Sequence, residues 1–277
     1  MNQLQTSDSP STTTQPNPDS YCFCGLAFNP PYRDFAIAVA KDLAIHHPGV
    51  KYLLLTDKGE DFDGIDNVIA IQRKQKSVLF PYHDRRFAIE EALKRFEHTI
   101  QIDTDIRIHR PLPLPAELFS SGGIVAFTRP LASHMEKYQS HEIPIYRALS
   151  QKFDVNFNDI QHVGEFIFVV SRNQNKHTLF LDTWEKAAQY LELHRLHGPD
   201  GPAMGMAALK SGIHVSHSIW PTEMEKNVVE HLKVSSGKKR LKIKKNRLQK
   251  LQARFLYHYR LNRLRLKALR QREFFYD

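Results

Sequence analysis

Two aspartates, Asp103 and Asp105, interrupt the apolar run TIQIDTDIRI at residues 99–108. Successive side chains of a strand point to opposite faces, so carboxylates two residues apart are expected on the same face. Two anions held this close repel each other unless a cation lies between them. Because Mg²⁺ and Mn²⁺ are typically bound by one or two carboxylates together with water and substrate phosphates, the pair predicts a divalent-cation site. A solvent-exposed turn is the alternative.

The segments around this pair alternate between strand and helix patterns. The predicted strands are YCFCGLAF, GVKYLLLTD, DNVIAIQ, TIQIDTDIRI, GGIVAFTRP, EFIFVVSRN and IHVSHSIW, and the predicted helices are YRDFAIAVAKDLAIHH, YHDRRFAIEEALKRFE, KHTLFLDTWEKAAQYLELHRL and PAMGMAALK. This alternation predicts an α/β domain with a largely parallel sheet flanked by helices. In open α/β sheets, ligands bind beyond the carboxyl ends of the strands, where Asp103 and Asp105 are expected.

Charge divides the chain of 277 residues into three zones. Residues 233–277 hold 16 of the 39 Lys and Arg but only 2 of the 30 acids, so this segment carries a net charge of +14 and the rest about −5. Residues 1–20 are rich in Ser, Thr and Pro, and we expect this leader to be disordered because it has too few apolar residues to offset its ordering entropy. We therefore expect a globular domain over residues 21–232 and a basic helical extension over 233–277.

Composition argues against secreted and membrane-spanning classes. No apolar run approaches the roughly 18 residues of a membrane span, and the first residues have neither the basic start nor the apolar core of a signal peptide. Cys22 and Cys24 are the only cysteines. A zinc site would need two further ligands, so we interpret both as reduced core residues of a cytoplasmic protein.

The segment HDRRFAIEEALKRFEHTIQIDTDIRIHRPLP resembles the central signature of nucleotide-sugar glycosyltransferases of the GT-A fold: a basic helix, a strand and then Asp-x-Asp. FCGLAFNPPY, KYLLLTD, GEFIFVVSRN and GPDGPAMGMAALKSGIHV are similar to further elements of that family, in the same order. The resemblance covers roughly residues 23–220. It implies a GT-A-like, Rossmann-type mixed sheet and transfer of a sugar from a nucleotide diphosphate donor, a UDP-sugar, to the hydroxyl of a glycan, lipid or small molecule.

The resemblance also implies roles for single residues. Asp103 and Asp105 would coordinate Mn²⁺ or Mg²⁺ on the donor diphosphate, with a histidine as a further ligand: His217 is the first choice, and His214 and His231 are alternatives. A structural role is the other interpretation of each histidine. The remaining implied donor-site residues, several of which are also typical of strand-ending turns, are Phe28, Asn29, Tyr32, Thr56, Asp57 and Thr104.

Adjacent arginines begin the helix before the aspartates. In the similar segment of the family such a residue reaches the diphosphate, and a planar guanidinium suits phosphate oxygens. At most one of Arg85 and Arg86 can face inward from a helix. We favour Arg86, because Phe87 and Ala88 begin the apolar stripe beside it, and keep Arg85 as the alternative.

Two further acids lie in segments that resemble the acceptor side. Asp200 and Glu165 are the candidates for the catalytic carboxylate, which would deprotonate the acceptor in an inverting enzyme or shield or attack the sugar carbon in a retaining one. Asp200 precedes Gly201 and Pro202, so it is also a candidate helix N-cap. Glu165 is alternatively an ordinary strand-start residue.

The basic segment 233–277 mixes leucines and aromatic residues with cations and is helix-prone. It could lie on an anionic bilayer, which would place the protein peripherally on the cytoplasmic membrane face. Packing on the acidic domain is the alternative, and nonspecific binding of nucleic-acid phosphates is weighted lower.

Two other function classes remain open. A haloacid-dehalogenase-like phosphatase also places Asp-x-Asp after an apolar strand, but its motif lies near the start of the domain and is followed by a Gly-Thr-like turn. A non-catalytic nucleic-acid-binding or membrane-binding protein acting through the basic segment would leave the paired carboxylates without a role.

Overall fold

A computed structural model of the protein describes residues 17–232 and 246–276. The strands are β1 (Tyr21–Ala27), β2 (Lys51–Thr56), β3 (Val68–Gln72), β4 (His98–Ile102), β5 (Ile106–Ile108), β6 (Ile124–Ala126), β7 (Thr128–Pro130), β8 (Gln161–Val163), β9 (Ile167–Ser171), β10 (Val215–His217) and β11 (Val229–His231). The helices are α1 (Pro30–His46), α2 (Arg85–Leu93), α3 (Glu117–Ser120), α4 (Leu131–Tyr138), α5 (Ile143–Lys152), α6 (Lys176–Leu193), α7 (Gly201–Ser211), α8 (Trp220–Asn227), α9 (Arg247–Leu269) and α10 (Arg272–Phe275).

A seven-stranded sheet in the order β10-β6-β9-β4-β1-β2-β3 forms the centre of the protein. Only β9 is antiparallel to its neighbours, β4 and β6, while the other pairs of this sheet are parallel. The predicted α/β class with a mixed, largely parallel sheet flanked by helices is confirmed. Because β4, β1 and β2 are adjacent and parallel, their carboxyl ends meet at one edge.

Alternating side chains of the central strands fill two apolar layers, one on each face of the sheet. In β2, Leu53 and Leu55 join the layer that contains Trp184 of α6, whereas Tyr52 and Leu54 join the layer that contains Leu43 of α1. This alternation explains why β2 reads as a continuous apolar run: a strand covered by helices on both faces buries every side chain.

The run that contains the two aspartates is two strands rather than the single strand predicted. β4 ends at Ile102, and β5 leaves the main sheet to pair antiparallel with β11. Asp42 of α1 holds β5 in this position, since its carboxylate accepts hydrogen bonds from the Arg107 guanidinium at 2.8 Å and from the Ile108 amide at 2.9 Å. Asp103 and Asp105 therefore lie in the connection between two sheets.

The cysteines are core residues, as predicted. Cys22 and Cys24 lie in β1, are fully buried and carry free thiols. Burial raises the pKa of Cys24 to about 12. Both side chains therefore act as small apolar residues of the sheet.

Part of each terminal zone lies outside the described residues. Of the predicted leader, residues 17–20 are described, and Pro18–Ser20 form a short 3₁₀ turn before β1. Of the predicted extension, residues 246–276 are described as α9 and α10. Among the described helices, none has both the length and the apolar character that crossing a bilayer requires. The domain limits at residues 20 and 232 stay predictions.

Helix α9 packs on α6 and on the segment before α2. Leu261 and Leu264 contact Val78, and Lys267 Nζ lies 2.6 Å from Glu185 Oε1 of α6. Nearby, Glu192 Oε1 accepts a 2.7 Å hydrogen bond from the Val78 amide. Burial, with a contribution from Asp84, raises the pKa of Glu192 to about 8. The Glu192 side chain therefore holds a proton in the folded protein at neutral pH.

This proton predicts a pH-dependent loss of stability. In the unfolded chain, Glu192 releases its proton near pH 4–5. The raised pKa in the folded protein therefore contributes fully to stability below that range, and this contribution to the free energy of unfolding is lost as pH rises towards 8. Between pH 5.5 and 8.5, the free energy of unfolding of the wild type should fall by roughly 1–3 kcal/mol more than that of Glu192→Gln, which keeps the accepting oxygen. Urea denaturation at both pH values measures the difference.

The matched control is Glu185→Gln in the same helix. Burial raises the pKa of Glu185, but Lys267 and Arg86 outweigh it and hold the pKa below its usual range, so Glu185 stays ionised throughout this window. Its variant should show the wild-type pH dependence. Equal pH dependence in all three proteins would contradict a protonated Glu192.

Candidate functional site

The connection between β4 and β5 is fixed at both ends by backbone hydrogen bonds. The Asp103 amide donates to the Phe166 carbonyl at 3.1 Å, and the Asp105 carbonyl accepts from the Leu232 amide at 2.9 Å. Thr104 Oγ1 donates to the Leu26 carbonyl near the end of β1 at 2.9 Å. The predicted donor-site residue Thr104 therefore ties the connection to the neighbouring strand, while the two aspartates point elsewhere.

Arg85, at the start of α2, joins two of the predicted site carboxylates. Its Nη2 lies 2.5 Å from Asp103 Oδ1, and its Nη1 lies 2.7 Å from Asp200 Oδ1. Arg85 is only 7% exposed, and Asp200 is fully buried. A buried cation shared by two carboxylates is strongly held, because separating either pair would leave an uncompensated buried charge.

Asp200 occupies the helix N-cap position, as the sequence suggested, but its side chain does not cap the helix. At the start of α7, this side chain makes no capping hydrogen bond and points to Arg85 instead. Glu165 takes over the capping, since its Oε1 accepts a 2.6 Å hydrogen bond from the Gly201 amide. A Cβ on Gly201 would lie 2.3 Å from the Val163 carbonyl oxygen and 2.8 Å from Glu165 Oε1, so only glycine permits this approach.

The acids of this group shift one another's pKa values. Burial raises the pKa of Asp103 to about 6; Arg85 opposes this shift, and the charges of Asp105 and Asp200 add to it. Burial and the neighbouring Asp200 raise the pKa of Glu165 to about 8, against the effects of Arg85 and the Gly201 amide. The Arg85 guanidinium is therefore close to the charges of Asp103, Asp200 and Glu165, and Asp105 acts on Asp103. The raised pKa values of Asp103 and Glu165 favour their protonation, which reduces the excess negative charge. We call Arg85, Asp103, Asp105, Glu165 and Asp200 the acidic cluster.

Two carboxylate oxygens of the acidic cluster are left without partners. Asp105 Oδ2 and Asp200 Oδ2 are buried and have no hydrogen-bond partner within the described part of the chain. A buried carboxylate oxygen normally has a partner, and leaving it without one is costly. These oxygens indicate that the cluster is built to contact something besides the protein.

A divalent cation fits the acidic cluster if two carboxylates bind it together with groups of the substrate. Across residues 17–232 and 246–276, no three His, Cys, Asp or Glu side chains come close enough together to hold a metal ion by themselves. Mg²⁺ and Mn²⁺ do not need such a cage, because two carboxylates suffice when substrate phosphates and water complete the shell. Asp103 and Asp105 are the candidate ligands, and Asp103 would bind through Oδ2, since its Oδ1 is engaged with Arg85.

The predicted donor pocket lies at the same edge of the sheet, at the ends of β1 and β2. Asp57 accepts hydrogen bonds from the Asn29 amide at 3.2 Å and from Arg33 Nη1 at 2.7 Å. Thr56 Oγ1 donates to the Ala27 carbonyl at 2.8 Å. Phe28 is buried in the apolar layer between the sheet and α2.

Asn29 and Tyr32 occupy the turn from β1 into α1. Asn29 has a φ of +73°, a left-handed conformation that Asn adopts more readily than most residues, and its side chain makes no capping hydrogen bond. Tyr32 is 36% exposed, and its ring lies edge-on to that of Phe35. The roles of Phe28, Asn29, Tyr32, Thr56 and Asp57 in binding a donor stay predictions.

Sequence reasoning missed Arg33. Its Nε lies 2.6 Å from Asp61, and its Nη1 binds Asp57, so this arginine links α1 to the segment after β2. In the sequence, Arg33 lies in the segment YRD just after Pro30 and Pro31, where it looks like an ordinary surface residue of a helix. Only the pairing of β1 with β2 brings Asp57 within its reach.

Arg86, favoured from the sequence for the inward position, lies away from the acidic cluster. Its Nη1 donates to the His83 carbonyl at 2.5 Å, its guanidinium packs on the Phe87 ring at 4.1 Å, and its Nε is 3.9 Å from Glu185. Both arginines are buried, because α2 packs between the sheet and α6. The apolar stripe of α2 thus indicated that the face with Arg86 is buried, but it did not indicate which arginine contacts the aspartates. In the structure, Arg85 contacts them.

The candidate histidine ligands are distributed over two sheets. His217 ends β10, which β6 and β9 separate from β4, and its Nδ1 accepts a hydrogen bond from the Thr128 amide at 3.2 Å. His214 is exposed just before β10. His231 lies in β11, packs against Phe166 with the ring centroids 4.4 Å apart and the ring planes tilted by 50°, and acts electrostatically on Asp103. The structure therefore brings His231, not His217, towards the aspartates.

We predict that Arg85→Met destabilises the fold far more than an ordinary ion-pair loss. Removing the guanidinium leaves Asp103 and Asp200 without their cation, and breaking a buried pair in this way costs roughly 3–5 kcal/mol. Chemical denaturation at pH 7 measures this loss, which should shrink at pH 5 because protonated carboxylates no longer need a cation. Arg95→Met, which removes a surface pair with Glu91, is the control and should cost at most about 1 kcal/mol. Equal losses for both variants would contradict the account.

Comparisons with known proteins add the following findings. No model of a protein family matches the chain, and no curated protein matches it. Among solved structures, the chain is similar to the galactosyltransferase LgtC, determined in complex with donor and acceptor sugar analogs, with a TM-score of 0.46 and 11% sequence identity over 70% of this chain and 72% of that one. At this level of similarity the site has to be interpreted from its own geometry.

Proposed function

We propose that this protein is a glycosyltransferase that moves a sugar from a nucleotide diphosphate donor, UDP-linked, to an acceptor hydroxyl. The observation that carries the proposal is the acidic cluster, in which Arg85 pairs with Asp103 and Asp200, with Glu165 and Asp105 nearby, beyond the carboxyl ends of β1 and β4. Ligands of open α/β sheets bind at this edge. A purely structural ion pair would need one carboxylate per cation and would leave no buried oxygen without a partner.

The position of each group suggests a division of labour. Asp103 and Asp105 would hold Mn²⁺ or Mg²⁺, which supplies positive charge to stabilise the departing nucleoside diphosphate. Phe28, Asn29, Tyr32, Thr56 and Asp57 line the neighbouring strand ends, where the base and ribose of the donor would bind. Arg85 fixes the orientation of Asp103 and adds a second cation beneath the phosphates.

In the reaction, the bond between the anomeric carbon and the diphosphate oxygen breaks, and the acceptor oxygen forms a new bond to that carbon. The electron pair of the broken bond leaves with the nucleoside diphosphate. The acceptor hydroxyl proton passes to a carboxylate of the protein or to the departing phosphate. The chain therefore has to supply a negative group close to the sugar and to exclude water from it.

Asp200 suits the negative group better than Glu165 does. Asp200 is fully buried, is paired with Arg85 through Oδ1 and keeps Oδ2 without a partner within the described residues. Burial raises the pKa of both acids, but the Glu165 carboxylate is committed to the N-terminus of α7 through its hydrogen bond from the Gly201 amide. We assign Asp200 the role of facing the reacting sugar and Glu165 that of positioning Asp200 through Gly201.

The decisive experiment uses Asp105→Asn, which preserves the shape of the side chain. With Mn²⁺, the wild type should release UDP from one member of a panel of UDP-sugars, and the variant should lose at least about 100-fold in this turnover because the cation loses a charged ligand. Circular dichroism and thermal unfolding report whether the fold is intact. Asp159→Asn, an exposed aspartate in a 3₁₀ turn, is the matched control and should keep full turnover.

Turnover that survives chelation by EDTA, or that Asp105→Asn leaves unchanged, would contradict the proposal. Below about pH 6, turnover should also decline, because Asp103 becomes protonated and is then a poor metal ligand. Excess Mn²⁺ should shift this decline to lower pH. A decline that is independent of Mn²⁺ concentration would count against Asp103 as a ligand.

A further inference from the structure

Helix α9 has two apolar stripes on opposite faces, and only one of them is used by the fold. The inner stripe contains Leu261, Leu264 and Ala268, all buried against the domain. The outer stripe is exposed to solvent and consists of Leu248, Leu251, Phe255, Tyr259, Leu266 and Leu269, each at least half exposed. We use the name outer stripe for these six residues. Packing explains the inner stripe and leaves the outer stripe without a role.

The outer stripe runs along the helix and is interrupted once, at the exposed Asn262. Leu248, Leu251, Phe255 and Tyr259 recur at intervals of three and four residues, which places them on one face. Leu266 follows Leu248 by about five complete turns, so it returns to the same line. The rings of Phe255 and Tyr259 stack at 6.4 Å with an angle of 14° between their planes. An ordered apolar line of this length on the surface marks an interaction site.

Cations border the outer stripe on both sides. By helical position, Arg247, Arg254 and Arg265 lie along one side and Arg263 and Arg270 along the other, and all five are exposed. The segment Arg247–Leu269 contains no Asp or Glu. A partner for this face must therefore combine an apolar layer with negative charge at its margin.

We propose that the outer stripe docks α9 on an anionic membrane surface, with the helix axis parallel to the bilayer. Leucine and aromatic side chains would enter the boundary between headgroups and acyl chains, while the bordering arginines meet anionic headgroups. Nucleic acid fits less well, because its phosphates need the cations but offer little to a line of leucines. The inner stripe fixes α9 to the domain, so docking would hold the whole domain at the membrane.

The docked helix is tied to segments that lead into the acidic cluster. Tyr257 packs against His197, shortly before Asp200, and Leu261 and Leu264 contact Val78, shortly before Arg85. The membrane proposal does not depend on the glycosyltransferase proposal, since binding to vesicles is measured without turnover. The two can therefore fail separately.

Flotation of the full chain with vesicles tests the proposal. With vesicles of phosphatidylcholine and phosphatidylglycerol, most of the wild type should float, and with phosphatidylcholine alone binding should be at least about tenfold weaker, because the cations then lose their partners. Leu251→Gln combined with Phe255→Gln should reduce binding to the anionic vesicles about tenfold or more, since both side chains would otherwise be buried in the interface. Both residues are exposed, so the fold should be unaffected.

The matched control replaces two exposed apolar residues outside α9, Ile45→Gln and Leu179→Gln, and should float like the wild type. Equal flotation of the outer-stripe variant and the wild type would overturn the proposal. So would binding of a 20-nucleotide RNA without flotation, or a dimer in sedimentation that the outer-stripe variant abolishes while neither protein floats.

Discussion

A single buried guanidinium holds the candidate site together. Arg85 begins α2, yet its two nitrogens reach the connection after β4 and the start of α7, elements that are far apart in the chain. The pairing is required because Asp200 is fully buried and Asp103 largely so, and neither carboxylate could remain ionised there without a cation. The position of both acids therefore follows from where α2 packs on the sheet.

The same interaction creates an excess of negative charge. The positive charge of one arginine balances the negative charge of one carboxylate. The charges of Asp105, of Glu165 and of either Asp103 or Asp200 are not balanced by it. The protein relieves part of this excess by raising the pKa values of Glu165 and Asp200, which burial favours in their neutral forms, and that of Asp103 to about 6. A bound cation would relieve the rest. This is why we interpret the cluster as a binding site rather than as an ion pair that stabilises the fold.

The sequence predicted what depends on local pattern and failed where distant elements meet. The seven strands of the central sheet and the buried cysteines follow from hydrophobic periodicity and strand length. The choice between Arg85 and Arg86 did not, because adjacent helix residues differ only in which neighbour they face. The break at Asp103 was also missed, since the pairing of β5 with β11 and the bond to Asp42 involve residues remote in the chain. His217 was favoured over His231 because the order of motifs along the chain does not show which strand lies beside β4, and so does not show which histidine lies near the aspartates.

The outer stripe shows a different relation between sequence and structure. The sequence of α9 is apolar and basic throughout, so it indicates either packing or an external partner. The structure separates the two, because Leu261 and Leu264 are buried while Leu251 and Phe255 are exposed on the opposite face. Packing on the domain accounts for the inner face of α9, and docking on a membrane is what we propose for the outer face.

The central claim is that the acidic cluster binds a divalent cation jointly with a nucleoside diphosphate. Electron paramagnetic resonance of Mn²⁺ tests it most directly, by measuring free Mn²⁺ in the presence of the full chain with and without UDP. Because only two protein carboxylates are available, we expect weak binding of Mn²⁺ alone, at least about tenfold tighter binding with UDP, and a reciprocal gain in UDP affinity. Mn²⁺ affinity that UDP leaves unchanged, once the direct Mn²⁺–UDP complex is subtracted, would contradict the account.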